Sequence, residues 1–309
     1  MTECECPNVY TTVDQTLDKT VVKMKSVKKF LFNEFIYGGH WLSLNGFAIA
    51  FSMQLLLGIS MRWEFLIMVY FLLQCVYNYN HYKELEIDFS SNSDRVTHLK
   101  KYKKFFPYIV TGYGAGFIIL LLFFGNLLSI LFGVFLLVLG LLYTSDSKKV
   151  SKKVVGFKSF YTAFAWALLI FFTAFYCSYP INLSVVLFFL FVFFQLVVTT
   201  SYFDIKDMES DKEAGLLTLP LVFKNDQNWI DILHILNVIS FIPIVIGVLT
   251  GYLPIYALST LVLLAYTFYY LQKTKKNNAN IHFLSYVMVD GEYNFWPLLL
   301  LIGRFFLPI

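Results

Sequence analysis

The chain has 309 residues, of which 58% are hydrophobic and only 14% are charged. Soluble globular domains carry about 25% charged residues, so this composition excludes an ordinary soluble fold and indicates a lipid bilayer as the solvent. The formal net charge of +4 forms no basic face suited to nucleic acid, and we expect no nucleic-acid partner.

The N-terminal segment, residues 1–34, is polar and precedes the long apolar runs. Within residues 19–33, apolar side chains recur at helical spacing between lysines, namely Val21, Met24, Val27 and Leu31. This pattern fits an amphipathic helix lying on the membrane, and it equally fits an ordinary basic flank of the first span. We therefore divide the chain into a cytoplasmic segment, 1–34, and a transmembrane domain, 35–309.

Beyond residue 34, long apolar runs alternate with short polar breaks. Most runs are near the roughly 20 residues that a helix needs to cross the hydrocarbon core. The predicted spans are Leu42–Ile59, Trp63–Tyr77, Phe105–Phe124, Leu127–Tyr143, Tyr161–Tyr179, Leu183–Thr200, Ile230–Leu249, Leu253–Tyr270 and Phe295–Phe306. The sequence thus predicts an all-α integral membrane protein with about nine transmembrane helices.

The basic residues predict how the chain is oriented in the bilayer. Of the 24 lysines and arginines, all but Arg62 and Arg304 fall in the N-terminal segment or in the second, fourth, sixth and eighth connections. Cytoplasmic loops attract lysine and arginine. We therefore expect the N-terminus and these connections to lie in the cytoplasm and the C-terminus on the opposite side, which requires an odd number of spans.

Acidic residues concentrate in two of the predicted cytoplasmic connections. In the first, Asn80, Glu84 and Asp88 are four residues apart. They share one face if the second helix continues past Tyr77.

The second acidic connection carries Asp204, Asp207 and Asp211, whose spacing again predicts one face of a helix end. Grouped carboxylates repel one another unless a cation lies between them. Magnesium takes oxygen ligands from one or two carboxylates and completes its shell with water and substrate phosphate. Either acidic connection alone is consistent with solvated surface. Two acidic faces on the same side of the membrane, four spans apart, instead favour a site between two halves of a bundle. Such a site could hold magnesium ions against a diphosphate.

At these residues the sequence resembles the UbiA superfamily of intramembrane prenyltransferases. The second family motif reads approximately Asp-x-x-Asp-x-Glu-Gly-Asp-x-x-x-Gly-x-x-Thr-Leu-Pro. The matching residues are Asp204, Asp207, Glu209, Asp211, Gly215, Thr218, Leu219 and Pro220, with Ser210 in place of the first glycine. The first family motif, Asn-Asp-x-x-Asp-x-x-x-Asp, is occupied by Asn80, His81, Glu84 and Asp88, so histidine and glutamate replace two aspartates.

This resemblance covers residues 35–309 and implies a UbiA-like bundle around a lipid-accessible central cavity. It also implies magnesium-dependent ionisation of a polyprenyl diphosphate and transfer of its prenyl group to a hydrophobic, membrane-soluble acceptor, such as an aromatic quinone precursor or a lipid. Carried over by position, the ligands of the magnesium-diphosphate site are Asn80, Glu84, Asp88, Asp204, Asp207 and Asp211. The expected catalytic residues are Asp88, Lys158, Asp207 and Asp211.

Several cations and one phenol are candidates for the substrate diphosphate. Lys158 resembles a lysine that the family often places before the fifth span, and Tyr143 closes the fourth span nearby. Lys83, Arg95 and Lys206 lie within or beside the acidic motifs. Each basic residue can pair with phosphate oxygens, or can serve only to orient the chain in the membrane.

Two other functions remain open at the level of the sequence. One is a membrane terpene cyclase of the same fold, in which the allylic cation is quenched within its own chain. The other is a lipid or small-molecule transporter, which the near absence of ionisable residues inside the spans disfavours. Histidine is a poor ligand for magnesium, so His81 is consistent with weaker metal binding, a differently held diphosphate or a variant reaction, and equally with a solvated loop histidine.

Overall fold

A computed structural model describes residues 27–85, 92–143, 148–223, 226–276 and 279–307. Within these ranges the chain forms helices and turns and contains no strand. Asp88 of the first acidic motif lies outside the described residues, as do Val21 and Met24 of the predicted amphipathic segment.

The first half of the chain forms nine of the described helices and a short 3₁₀ helix. They are residues 27–37 (α1), His40–Leu56 (α2), Trp63–Glu84 (α3), Ser93–Leu99 (α4), the 3₁₀ helix Lys100–Phe105, Phe106–Phe124 (α5), Leu127–Leu142 (α6), Lys148–Ser151 (α7), Phe157–Ala167 (α8) and Leu169–Tyr176 (α9). α3 continues past Tyr77 to Glu84, so Asn80 and Glu84 of the first motif lie on the same helix and share one face.

The second half contains one long helix and several shorter ones. They are Leu183–Lys206 (α10), Met208–Glu213 (α11), Leu219–Phe223 (α12), Asp226–Ser240 (α13), Ile242–Leu249 (α14), the 3₁₀ helix Ile255–Leu261, Val262–Thr274 (α15), Ile281–Phe283 (α16), the π-helical turn Leu284–Val289, the 3₁₀ turn Glu292–Asn294 and Phe295–Phe306 (α17). The final pass is therefore irregular before it becomes α-helical.

Five stretches of the described chain are long and apolar enough to cross a membrane. They are Ser93–Phe124, Phe157–Tyr176, Leu183–Lys206, Asn228–Leu249 and Ile255–Thr274, with Leu127–Leu142 as a shorter apolar helix. The number of helices is not the predicted nine, because several predicted spans consist of two helices. The seventh divides at Phe241, just before Pro243, whose ring nitrogen cannot donate a helical hydrogen bond.

The buried apolar side chains form two large clusters that share α2 and α9. One cluster joins these helices to α3, α5 and α6, and the other joins them to α8, α10, α14, α15 and α17. On α2, Ile49 belongs to the second cluster and Ala50 to the first. Gly46 allows α3 to approach, since a Cβ there would lie 2.1 Å from a methyl carbon of Leu73.

The outer surface of the bundle is apolar, as a bilayer requires. Phe123 on α5 and Leu127 on α6 are 81% and 73% exposed. On α1, Phe30, Leu31 and Phe32 are also exposed, beside two lysines. The described part of the predicted amphipathic segment is thus helical and carries exposed apolar side chains.

Candidate active site

A cavity of about 270 Å³ lies inside the bundle. This volume is near the lower end of the roughly 300–1,000 Å³ that small-molecule pockets occupy. Apolar side chains from five helices form part of its wall, namely Leu42, Leu72, Leu73, Val76, Leu136, Leu169 and Leu196. Polar residues gather where α3 and α10 end and α8 begins: Asn80, His81, Lys158, Ser159, Asp204, Lys206 and Asp207.

Lys158 joins two acids of the second motif. Its Nζ lies 2.9 Å from Asp211 Oδ2 and 3.3 Å from Asp204 Oδ1. Both aspartates are buried, and the hydroxyl of Ser159 donates a hydrogen bond to Asp204. One ammonium group therefore lies between two carboxylates that would otherwise repel each other in a poorly solvated site.

The backbone that carries Lys158 is held by the end of the second motif. Leu217 O accepts a hydrogen bond from Gly156 N at 2.8 Å, and Leu217 N donates to Ser151 O at 2.9 Å. Gly156 has a φ of +71°, and a Cβ there would lie 2.9 Å from Leu219. Glycine is thus required at this turn both by conformation and by the close packing of the motif.

A turn at Asp207 interrupts the predicted helix end, although Asp204 and Asp211 still face the same ammonium group. α10 ends at Lys206, and Asp207 has φ −95° and ψ 6° between α10 and α11. Asp207 Oδ1 lies 3.3 Å from the amide nitrogen of Asn92 and 3.4 Å from the ammonium of Lys206. The break in the helix thus gives Asp207 partners different from those of Asp204 and Asp211.

Lys206 connects the second motif to two elements that the sequence did not indicate. Its Nζ donates to Asn92 Oδ1 at 2.8 Å and to the hydroxyl of Tyr286 at 3.2 Å, and Tyr286 also donates to Asn92. Asn92 follows Asp88 by four residues, a helical spacing that could have indicated it. Tyr286 belongs to the π-helical turn, and no local motif marks it.

The first motif is only partly on the cavity wall. Asn80 and His81 line the cavity, whereas Glu84 is half-buried at the end of α3 and is not among the lining residues. His81 is 8% exposed, and its Nδ1 has no hydrogen-bond partner among the described residues. Lys83 is exposed, with its ammonium 5.7 Å from the centre of the Tyr79 ring.

Four of the five residues predicted to bind the substrate diphosphate lie together on the cavity wall. Arg95, Tyr143, Lys158 and Lys206 line the same cavity, and Lys83 is not among the lining residues. The Tyr143 ring stacks on Tyr161, with 5.8 Å between the ring centres.

Burial and neighbouring ammonium groups set the charge of the two aspartates outside the spans. Burial alone would raise the pKa of Asp207, but the ammoniums of Lys206 and Lys158 outweigh it and hold that pKa below its ordinary value. At Asp211 burial prevails over the opposing effect of Lys158 and raises the pKa to about 6. Asp207 is therefore an ionised carboxylate over the neutral range and available to a cation.

The donor set fits magnesium together with a phosphate-bearing substrate. In the described part of the chain, no three side chains of histidine, cysteine or acid type converge closely enough to bind an ion alone. Magnesium needs only one or two carboxylates when water and substrate phosphate complete its shell. Asp204 and Asp207 both line the cavity and would be those carboxylates.

Comparison with known proteins identifies one matching family model. The model of the UbiA prenyltransferase family matches residues 41–296. None of the curated proteins matches the chain in sequence.

Solved structures share the fold. A UbiA homologue from Archaeoglobus fulgidus bound to GPP and Mg²⁺ has a TM-score of 0.65 and 16% identity, over 89% of this chain and 98% of its own. A UbiA homologue from Aeropyrum pernix K1 has a TM-score of 0.64 and 14% identity, over 86% and 97%. A digeranylgeranylglyceryl phosphate synthase has a TM-score of 0.57 and 17% identity, over 89% and 98%. At these identities the likeness establishes the fold.

Proposed function

This chain belongs to the UbiA prenyltransferase family and is an integral membrane protein, and we propose that it transfers a prenyl group from a polyprenyl diphosphate to a hydrophobic acceptor in the membrane. The observation that carries the proposal is the ammonium of Lys158 between the buried carboxylates of Asp204 and Asp211, at one end of a cavity with apolar walls. Such a site offers cations and cation-binding groups to a diphosphate and an apolar space to the chain attached to it.

The acidic groups are proposed to hold magnesium on the two sides of the diphosphate. Asp204 and Asp207 are the ligands on the cavity wall, with Asp211 held beside them by Lys158. Asn80, Glu84 and Asp88 are the proposed ligands of the first motif. When bound, magnesium supplies Lewis-acid stabilisation of the negative charge on the leaving diphosphate.

Basic and phenolic side chains are proposed to orient the diphosphate. Lys158 and Lys206 lie among the acids, and Arg95 and Tyr143 face the same cavity. Ammonium and guanidinium groups placed in advance around phosphate oxygens stabilise the charge that develops as the bond to the prenyl carbon breaks. Lys83 stays a weaker candidate, because its ammonium is near Tyr79 and away from this wall.

Aromatic residues on the cavity wall fit the cation that this reaction forms. Tyr77, Trp166 and Tyr293 line the cavity beside its aliphatic residues. The face of an aromatic ring attracts a cation within about 6 Å, most strongly where water is excluded. We propose that these rings shield the allylic cation from water until the acceptor captures it.

The proposal includes the division and orientation of the chain. Residues 1–34 form the cytoplasmic segment, residues 35–309 the catalytic domain, and the acidic connections face the cytoplasm with the C-terminus on the other side. The support is the distribution of basic residues, of which only Arg62 and Arg304 lie elsewhere.

The decisive experiment measures pyrophosphate release from geranylgeranyl diphosphate by the purified protein in nanodiscs, with a lipid extract as acceptor source. It compares magnesium with a chelator and the wild type with Asp207→Asn. Asp231→Asn is the matched control, because Asp231 pairs with Lys275 at an exposed position outside the cavity.

Release that requires both magnesium and Asp207 is the expected result, with Asp231→Asn equal to the wild type. A labelled product joined to an acceptor then identifies a transferase, whereas a hydrocarbon or alcohol formed from the donor alone identifies a cyclase. Movement of a lipid across liposomes that is unaffected by Asp207→Asn, without any pyrophosphate release, would overturn the proposal in favour of a transporter.

A further inference from the structure

One carboxylate on the cavity wall belongs to neither acidic motif. Asp290 lies between the π-helical turn Leu284–Val289 and the 3₁₀ turn Glu292–Asn294, lines the cavity, and is 8% exposed. None of the described residues donates a hydrogen bond to its carboxylate, and the carboxylate oxygens are not among the fully enclosed polar atoms that lack a partner. They therefore open onto the cavity, where a ligand that brings a donor can reach them.

The segment around Asp290 is fixed on both sides by hydrogen bonds to four other elements. These bonds join Tyr286 to Asn92, Glu292 to Gln195, Thr267 and Tyr270, Tyr293 to Thr199, and Asn294 to Asn45. Gly291 packs against Trp41, where a Cβ would lie 3.0 Å from the indole ring. Asp290 is therefore held in the wall by well-anchored neighbours, as a binding group should be.

The charges around Asp290 do not satisfy its carboxylate. The cations that act on it are Lys206 and Arg95. Lys206 already donates to Asn92 and Tyr286 and lies 3.4 Å from Asp207. The phenols of Tyr77 and Tyr293 are the other titratable groups that sense the charge of Asp290.

The donor substrate cannot supply what Asp290 lacks. A prenyl chain has no hydrogen-bond donor, and an ionised diphosphate repels a carboxylate. A carboxylate-bearing acceptor would be repelled in the same way. A hydroxyl group can donate a hydrogen bond to the carboxylate and can accept one from the protonated acid, so an acceptor with a hydroxyl group can bind Asp290 in either protonation state.

We propose that Asp290 binds the hydroxyl group of the acceptor, and that the acceptor is therefore a neutral alcohol or phenol. This inference rests on the proposed function, because the cavity must be the place where the acceptor meets the prenyl diphosphate. Asp290 thus selects the acceptor, while Asp204, Asp207 and Lys158 serve the donor.

The test measures binding in nanodiscs loaded with magnesium and geranyl S-thiolodiphosphate, a donor analogue that ionises poorly. Radiolabelled 4-hexylphenol and 1-dodecanol are each compared with their methyl ethers, which keep the oxygen and lose the donor. We expect the wild type to prefer at least one hydroxyl compound over its ether by roughly tenfold or more. The favoured probe then tells a phenol site from an alcohol site.

Asp290→Asn should reduce that preference to less than about threefold, since a neutral amide oxygen is a weaker acceptor. Asp290→Leu should abolish it, and both variants should bind the thiolodiphosphate within twofold of the wild type, which also shows that they are folded. Asp231→Asn should behave as the wild type.

Different results would overturn the role of Asp290 and the proposed function. Equal binding of hydroxyl compound and ether by the wild type, or a preference that survives in both Asp290 variants, overturns the role of Asp290 and leaves the donor site intact. Absence of magnesium-dependent thiolodiphosphate binding by the wild type overturns the proposed function, and the inference that rests on it falls as well.

Discussion

Among the buried acids of this bundle, the pair Asp204 and Asp211 and the single residue Glu292 have different surroundings. Asp204 and Asp211 share the ammonium of Lys158 beside the cavity. Glu292 is fully buried in the second half of the bundle, and its carboxylate accepts hydrogen bonds from Gln195 at 2.5 Å, from Thr267 at 3.1 Å and from Tyr270 at 3.1 Å. Glu292 is not among the residues that line the cavity.

The difference shows how a binding acid can be told from a structural one. The partners of Glu292 are neutral donors from α10 and α15, which tie the irregular final pass to the bundle. Asp204 and Asp211 instead share a charged partner, the ammonium of Lys158, beside the cavity. We expect loss of Glu292 to lower stability and loss of Asp204 or Asp211 to lower activity.

The largest expected effect is on activity. Asp204→Asn should reduce pyrophosphate release by at least about 100-fold, the cost typical of removing one group that stabilises developing charge. The melting temperature should change little, because Ser159 can still hydrogen-bond to the amide. Measured in parallel, Asp231→Asn should retain full activity, and equal activity of the two variants would contradict the assignment.

Lys158→Met should lower both activity and stability. Without magnesium, the two buried carboxylates lose their shared cation. Removing one partner of a buried ion pair typically costs about 3–5 kcal/mol in the free energy of unfolding. We expect a smaller loss of about 2–3 kcal/mol, because the side chain of Lys158 is 22% exposed. Magnesium should recover part of that stability by replacing the ammonium charge. Thermal unfolding with magnesium and with a chelator checks this, and identical curves would show that no cation site remains.

Glu292→Leu should lower stability alone. It leaves the donors of Gln195, Thr267 and Tyr270 without their acceptor in the interior, which costs about 1–3 kcal/mol. Magnesium should give no recovery, in contrast to Lys158→Met. Glu292→Gln keeps an acceptor oxygen and serves as the matched control, with a smaller loss in the same thermal assay.

The smallest effect is expected at the exposed pair. Lys275→Met breaks its contact with Asp231, whose side chain is 61% exposed. Surface ion pairs contribute about 0–1 kcal/mol, so the melting temperature should stay within a degree or two. A larger shift would show that ion pairs stabilise this bundle in general, and the contrast between the two buried groups would lose its meaning.

Much of the fold follows from local sequence patterns. Apolar runs predict the helical bundle, which the structure confirms, and the condition for a shared face of Asn80 and Glu84 is met because α3 extends to Glu84. The long match from Asp204 to Pro220 indicates the family, which the family model confirms. These features are readable because hydropathy and helical periodicity depend on residues close together in the chain.

The site depended on contacts between residues far apart in the chain. The spacing of Asp204, Asp207 and Asp211 predicted one face, but the helix breaks at Asp207, where Lys206 and Asn92 offer it partners. Tyr286 and Asp290 carry no motif, and they reach the cavity through the irregular final pass.

By itself, then, the sequence determined that this protein is a helical membrane protein with two acidic motifs and a specific family resemblance, because composition and spacing fix those properties locally. Only the tertiary structure decided that Lys158 bridges Asp204 and Asp211 and that Asp290 faces the same cavity. The physical reason is that the position of a buried charge is set by the groups that compensate it, and here those groups come from helices more than 40 residues apart in the chain, as with Lys158 and Asp204.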